Sequence, residues 1–288
     1  MLVLHALPGS QVMPSTVPAA PYCRNMADEA GRRVLVTGGA SGLGAALAEA
    51  LRRRGDDVLV CDLAPTSSEH RRLDVTSDAD WADVAQWVRQ TWGGLDLLVN
   101  NAGIATGGRI DVAGMDEWHR AVEVNLLGAV RGCRTFVPMF KSQGAGTIVN
   151  IASLAGLVHP PAMASYTATK AGVVALSETL RHELHPWGIH VAVVCPGFFQ
   201  TNLAASVDSA DPLTAALTQG LIGRSPLTAA DIAAEVLRGL DAGEHVILTD
   251  AEGRSAVAAK THAREQYDQQ QFAFAESIKA RSEGPAVP

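Results

Sequence analysis

The chain has 288 residues, is 47% hydrophobic and carries a formal net charge of −7. That length and apolar content suffice for one large α/β domain with a real core. Scattered arginines in an acidic chain exclude a general surface for nucleic acid or anionic membrane, and no apolar run reaches the 18 residues or so that would span a bilayer, so a soluble, cytoplasmic protein is expected.

Cys23, Cys61, Cys133 and Cys195 lie far apart without zinc-ligand spacing and read as reduced, buried thiols; no metal site is expected. Residues 1–30 are expected to be a disordered extension. Its first 25 residues are rich in Pro and small residues and lack the charged start of a secretory signal, while the text from Met26 reads as an ordinary start followed by a strand.

From residue 32, short β-branched runs alternate with helix-length amphipathic runs: "RVLVTG", "GAALAEALRRRG", "DVLVCDL", "DADWADVAQWVRQTWG", "LDLLVNNAG", then "TIVNIAS", "HVAVVCPG" and "HVILTD". Continuous apolar strands separated by helices predict a parallel sheet covered on both faces, a doubly wound Rossmann-type α/β fold in a single domain over residues 31–252. Thr228, with Asp231 three residues on, is placed to cap a helix over 225–240. Residues 253–288 are expected to form a peripheral helical tail with a frayed end.

"RVLVTGGASGLG" runs a strand through Gly38, Gly39, Gly42 and Gly44 straight into a helix. Glycines there let the backbone approach a pyrophosphate, and the helix N-terminus offers unpaired N–H groups to the anion. The spacing departs from the usual Gly-x-Gly-x-x-Gly, so position carries the inference: first strand, first turn, and an acid about twenty residues on. That acid is Asp62, closing "DVLVCD"; a carboxylate there accepts the ribose hydroxyls of NAD and repels the 2′-phosphate of NADP. A solvated strand-end Asp is the alternative, and Arg71 and Arg72 stand nearby. NAD is the expected cofactor, with Ser41, Leu43 and Leu63 counted among its contacts.

"SYTATKAG" places Tyr166 and Lys170 four apart, on one face of a helix. A phenol with a pKa near 10 is a poor base at neutral pH, and a neighbouring ammonium brings it toward the working range. Ser153 ends "TIVNIAS" at the carboxyl edge of the sheet, where its hydroxyl could hold a substrate oxygen or serve only as a turn residue.

Taken together, "TGGASGLG" (37–44), "LDVT" (73–76), "NNAG" (100–103), "VNLLG" (124–128), Ser153, "YTATK" (166–170) and "PGFFQT" (196–201) strongly resemble the short-chain dehydrogenase/reductase family across residues 32–250. The resemblance implies that Tyr166 is the catalytic acid/base, that Lys170 lowers its pKa and binds the nicotinamide ribose, that Ser153 orients the substrate oxygen, and that Asn125 anchors a water in a proton relay. It places Asp74 and Val75 near the adenine, Asn101, Ala102 and Gly103 along the adenosine ribose and central strand, and Pro196, Gly197, Phe199 and Thr201 beside the nicotinamide. It also implies a homotetramer or homodimer paired through long helices at 116–139 and 164–185.

Substrate choice falls to 154–164 and 202–227, which read as segments over the active-site mouth. Leu154, Leu157, Val158, Met163, Phe198 and Leu203 suggest an apolar pocket for a lipophilic secondary alcohol or ketone, steroid-like or aromatic; His159 reads as a surface-loop histidine. An NADPH-dependent ketoreductase and a non-catalytic NAD-binding regulator are the other readings. The first would differ mainly at Asp62, and the second need not keep Ser153, Tyr166 and Lys170 together.

Overall fold

The apolar runs become strands whose two faces are both covered. The computed structural model describes residues 31–201 and 211–283, and within them β1 (Arg33–Thr37), β2 (Asp57–Asp62), β3 (Arg71–Arg72), β4 (Leu97–Asn100), β5 (Gly146–Ile151), β6 (Ile189–Val194) and β7 (Val246–Ile247) form one sheet in the order β3-β2-β1-β4-β5-β6-β7. Every pairing is parallel. Alternation along each strand divides the core: Val34, Val36, Val60, Val99 and Val149 pack on α1 (Gly42–Arg53) and α8 (Ala229–Asp241), while Leu35, Leu59, Leu98 and Ile148 pack on α2 (Asp78–Thr91) and α4 (Gly128–Gln143). Sequence order reverses on either side of β1 and β4, which opens a crevice at the carboxyl ends of these strands.

Three details differ from the sequence expectation. Arg71 and Arg72, read only as charges near Asp62, form the edge strand β3, because two residues carry no readable periodicity. The helix expected over 116–139 consists of α3 (Met115–Ala121), a π-helical turn (Val122–Leu127) and α4; the widened turn holds the buried Asn125. The tail is two helices, α9 (Ala251–His262) and α10 (Arg264–Glu283), and the expected boundary at 252/253 falls inside the first of them. The remaining helices are the short α5 (Ala155–Val158), α6 (Ala164–Leu184) and α7 (Pro212–Arg224). Thr228 and Asp231 form the expected capping box on α8. Cys61, Cys133 and Cys195 are buried free thiols, while Cys23 lies outside the described residues. Among the described residues no helix is long and apolar enough to cross a membrane.

At the opposite end of the sheet, His190 on β6 and His245 before β7 set their rings 5.3 Å apart. His190 Nε2 and His245 Nδ1 are buried without a hydrogen-bond partner. Burial, then the neighbouring His245 and Arg181, push His190 down from 6.5 to about 4. The unfolded chain therefore binds the extra proton first, so stability is complete above pH 6.5 and lost as pH falls toward 4. His190→Phe is expected to flatten the fall in unfolding free energy from urea melts across that window, by on the order of 1–3 kcal/mol. An unchanged slope in the variant would show that the pair carries no such linkage.

Candidate active site

The glycine turn is packed backbone to backbone. Gly38 and Gly42 have φ of 61° and 53°, the left-handed region that glycine enters without strain. A Cβ on Gly38 would lie 2.8 Å from Ala102 Cα, and one on Gly44 would lie 2.2 Å from Gly38 O. Ser41 is the extended N-cap of α1, its side chain makes no capping bond, and the first turn holds no acid, so the leading amides of α1 have no capping side chain. The turn is held from below by "NNAG". Asn101 Nδ2 donates to Thr37 O and Gly38 O at 2.9 and 3.0 Å, and Thr37 Oγ1 accepts from Asn101 N and Ala102 N, both at 3.0 Å.

Asp62, closing β2, accepts from Ala40 N at 3.0 Å and Ala64 N at 3.1 Å, which fixes its carboxylate beside the turn. The nearby arginines are otherwise engaged: Arg72 pairs with Asp80 at 2.6 Å, and the Arg71 guanidinium lies 5.4 Å from the centre of the Trp87 ring. Asp74 Oδ1 accepts from Thr76 N and Oγ1 at 2.9 and 2.7 Å, shaping the wall that follows β3.

At the other end of the crevice, α6 presents Tyr166 and Lys170 one turn apart, and Ser153, just beyond β5, lines the same cavity close enough to act on the Tyr166 phenol. Ala155 N donates to Ser153 Oγ at 3.2 Å. Lys170 is only 4% exposed; its Nζ donates to Ile151 O at 2.9 Å and lies 5.7 Å from the centre of the Tyr166 ring. Burial brings the Lys170 ammonium down to about 8. Burial also pushes the Tyr166 phenol above its ordinary value, and the neighbouring Ser153 works the other way. Asn125 sits one layer beneath: Oδ1 accepts from Ile104 N at 2.8 Å and Nδ2 donates to Ile104 O at 3.0 Å. A Cβ on Gly103 would press on Asn125 Oδ1 at 3.1 Å and touch Lys170 Nζ at 3.5 Å.

A buried polar chain that sequence reasoning missed sets the register of α6. Asn100 Nδ2 donates to Asn150 Oδ1 at 2.8 Å, Asn150 Nδ2 to Ser177 Oγ at 2.9 Å, and Ser177 Oγ to Val173 O at 2.7 Å. Asn150 falls in a strand run and Ser177 inside a helix, and neither pattern announces a partner.

The two ends share one cavity of about 510 Å³. Every residue expected to bind cofactor or catalyse lines it except Gly44, packed under the glycine turn, and Asn125, buried behind Gly103. On the substrate side Leu154, Val158, Met163 and Phe198 line the cavity as expected, while Leu157 packs against the cluster of Ala152, Val173 and Val193. Leu203 lies outside the described residues. His159 faces the tail: Lys260 Nζ lies 2.7 Å from its Nδ1. Thr218 and Ile222 of α7 complete the wall; sequence placed residues 202–227 over the mouth as a loop segment, and the structure forms a helix within it. Arg109 holds the start of α7 through the buried Asp211, with Nε to Oδ2 at 2.8 Å. Burial alone would raise the Asp211 carboxyl, but bonds from Arg109 and Thr214 outweigh it and hold it at about 2.

A doubly wound sheet with a glycine-floored dinucleotide groove leading to a Ser, Tyr and Lys cluster defines an NAD(P)-dependent oxidoreductase acting on CH–OH groups. Residues 32–212 match the family model described as short chain dehydrogenase, and the chain belongs to that family. Its relatives include the 3-alpha-(or 20-beta)-hydroxysteroid dehydrogenase of Mycobacterium tuberculosis, 37% identical over 184 residues that cover 60% of this chain and 71% of the relative. Among solved structures, a short chain dehydrogenase/reductase from Burkholderia phymatum in complex with NAD superposes with a TM-score of 0.76 at 27% identity, covering 82% of this chain and 95% of that one. One from Burkholderia cenocepacia J2315 in complex with NADP gives 0.72 at 26%, covering 84% and 98%.

Proposed function

We propose that the chain interconverts a lipophilic secondary alcohol and its ketone with NAD, Tyr166 carrying the proton. The observation behind this reading is that the Ser153 and Tyr166 hydroxyls and the Lys170 ammonium meet at one end of the cavity whose other end holds the glycine turn and Asp62. The groove fits a dinucleotide, because Gly38 and Gly44 leave no space for side chains where the backbone must come close to a phosphate.

In this reading the amides from Ser41 to Gly44 hold the pyrophosphate and Asp62 takes the adenosine ribose diol. Asp74 and Val75 flank the adenine, Lys170 binds the nicotinamide ribose, and Pro196, Gly197, Phe199 and Thr201 line the carboxamide side. When bound, the cofactor supplies the hydride acceptor. Ser153 Oγ orients the carbinol oxygen, Tyr166 Oη accepts its proton, and Lys170 stabilises the charge that develops on the phenol. Asn125 props the Gly103–Ile104 backbone against which Lys170 lies. The apolar wall of Leu154, Val158, Met163, Phe198 and Ile222 supports a lipophilic skeleton, as does the relative named for hydroxysteroids. Pairing through α4 and α6 into a homodimer or homotetramer belongs to the same reading.

Cofactor choice rests on Asp62, with Arg71 and Arg72 committed to Trp87 and Asp80. Following NADH and NADPH formation on a panel of apolar secondary alcohols is expected to show kcat/KM at least about a hundredfold higher with NAD. Asp62→Ala is expected to lower NAD efficiency by about tenfold or more and to raise that with NADP. A wild type that prefers NADP would overturn the Asp62 assignment and favour the NADPH-dependent reductase. A chain that binds NADH without turning over any alcohol would favour the regulator.

A further inference from the structure

The link between α5 and α6 forms part of the substrate wall through Pro160 and Met163, and it is built under strain. His159 and Ala162 both take φ of 58°, a left-handed conformation that non-glycine residues hold only where their surroundings fix it. What fixes it is the C-terminal pair of helices. The short α5 ends at Val158, leaving carbonyls with no further turn to receive. Lys260 of α9 donates Nζ to Leu157 O and to His159 Nδ1, and Tyr267 of α10 donates its hydroxyl to Val158 O. His159 Nε2 turns back to Gly156 O at 3.1 Å, so the neutral ring donates at one nitrogen and accepts at the other. Burial and the nearby Lys260 keep that ring below its ordinary pKa, in keeping with this pattern.

The far side of the link is tied to the body of the fold, where Gly108 N donates to Ala162 O at 2.9 Å. Tyr267 is 5% and Ile278 4% exposed, so α10 is seated rather than trailing, and it also contacts α7, which carries Thr218 and Ile222. Both substrate walls therefore rest on helices that lie beyond residues 32–212, the segment matching the family.

We propose that α9 and α10 form a specificity clamp in which Lys260 and Tyr267 hold residues 157–163 in place and so decide which alcohol skeletons the cavity admits. The two are positioning residues: they touch the link and not the reacting atoms. The proposal rests on the oxidoreductase reading above and deepens it.

The test compares the full-length wild type with Lys260→Met, Tyr267→Phe and the double variant, using NAD with cyclohexanol, a decalin alcohol and a hydroxysteroid. The double variant is expected to change KM for the two larger alcohols about tenfold or more relative to cyclohexanol, with kcat on cyclohexanol and NADH affinity by fluorescence held within about twofold. Hydrogen exchange at the Val158 and His159 amides is expected to speed up about tenfold while the β1 amides stay unchanged. Unaltered KM ratios, or an equal loss across all alcohols and NADH, would overturn the clamp. If the wild type binds NADH but oxidises none of the alcohols, the oxidoreductase reading fails by itself; the hold of the tail on the link is then decided by exchange, and its invariance in the double variant overturns the proposal.

Discussion

Tyr166→Phe is expected to lower kcat for alcohol oxidation by about a thousandfold or more while leaving NADH affinity within a few fold. The phenyl ring keeps the packing on α6, and Lys170 keeps its bond to Ile151 O, so what disappears is the hydroxyl that takes the carbinol proton in the proposed mechanism. Burial alone pushes this phenol up, so in the proposed mechanism the charge that makes it a usable base near neutral pH comes from Lys170, 5.7 Å from the ring centre. Oxidation by the wild type is accordingly expected to rise with pH until the phenol is ionised, and a residual rate in the Phe variant to lose that dependence. Steady-state NADH formation from pH 6 to about 10 reads both effects. Retained turnover in Tyr166→Phe would sink the assignment of the acid/base.

Gly44→Ala carries the second large effect, and two principles disagree about its sign. In a helix, Ala is favoured over Gly by about 1 kcal/mol. The added methyl would, however, lie 2.2 Å from the backbone oxygen of Gly38 and 2.5 Å from Asn101 Nδ2, the first fixed in the main chain and the second a side-chain amide held by its bonds to Thr37 O and Gly38 O. Sterics win: the glycine turn must lift off α1, costing about 1–3 kcal/mol and several degrees in Tm. NADH affinity is expected to fall about a hundredfold, because the amides that face the pyrophosphate move with the turn. Gly220→Ala on α7 is the control, since nothing stands within 4 Å of its Cβ position. It should leave affinity and Tm unchanged or slightly improved. Equal behaviour of the two variants in calorimetry and NADH fluorescence titration would refute the close-packing argument.

Several features were readable from sequence because they are local. A strand of consecutive β-branched residues announces a sheet covered on both faces. Glycines at a strand-to-helix junction announce a close backbone approach, Thr228 with Asp231 announces a helix start, and Tyr166 with Lys170 shares a face by helical spacing alone. Asp62 and Ser153 were legible as strand-end positions, once the sheet was inferred. What depends on long-range contact was not legible. Asn125 was named only through the family resemblance, and its packing on Ile104 needed the π-helical turn; Asn150 and Ser177 became partners only when β5 met α6. Leu157, an apolar residue beside others that line the cavity, turned into the core instead.

The amino-acid sequence by itself thus determined the fold class, the glycine turn at the strand-to-helix junction and the shared helix face of Tyr166 and Lys170, because each follows from period, spacing and residue type along a short stretch of chain. Tertiary structure alone decided how the walls at the apolar end of the cavity are held. Arg109 finds Asp211 across 102 residues and Tyr267 finds Val158 across 109, and no local pattern specifies such partners. Those contacts are fixed by how the finished sheet and its helices place distant surfaces against one another.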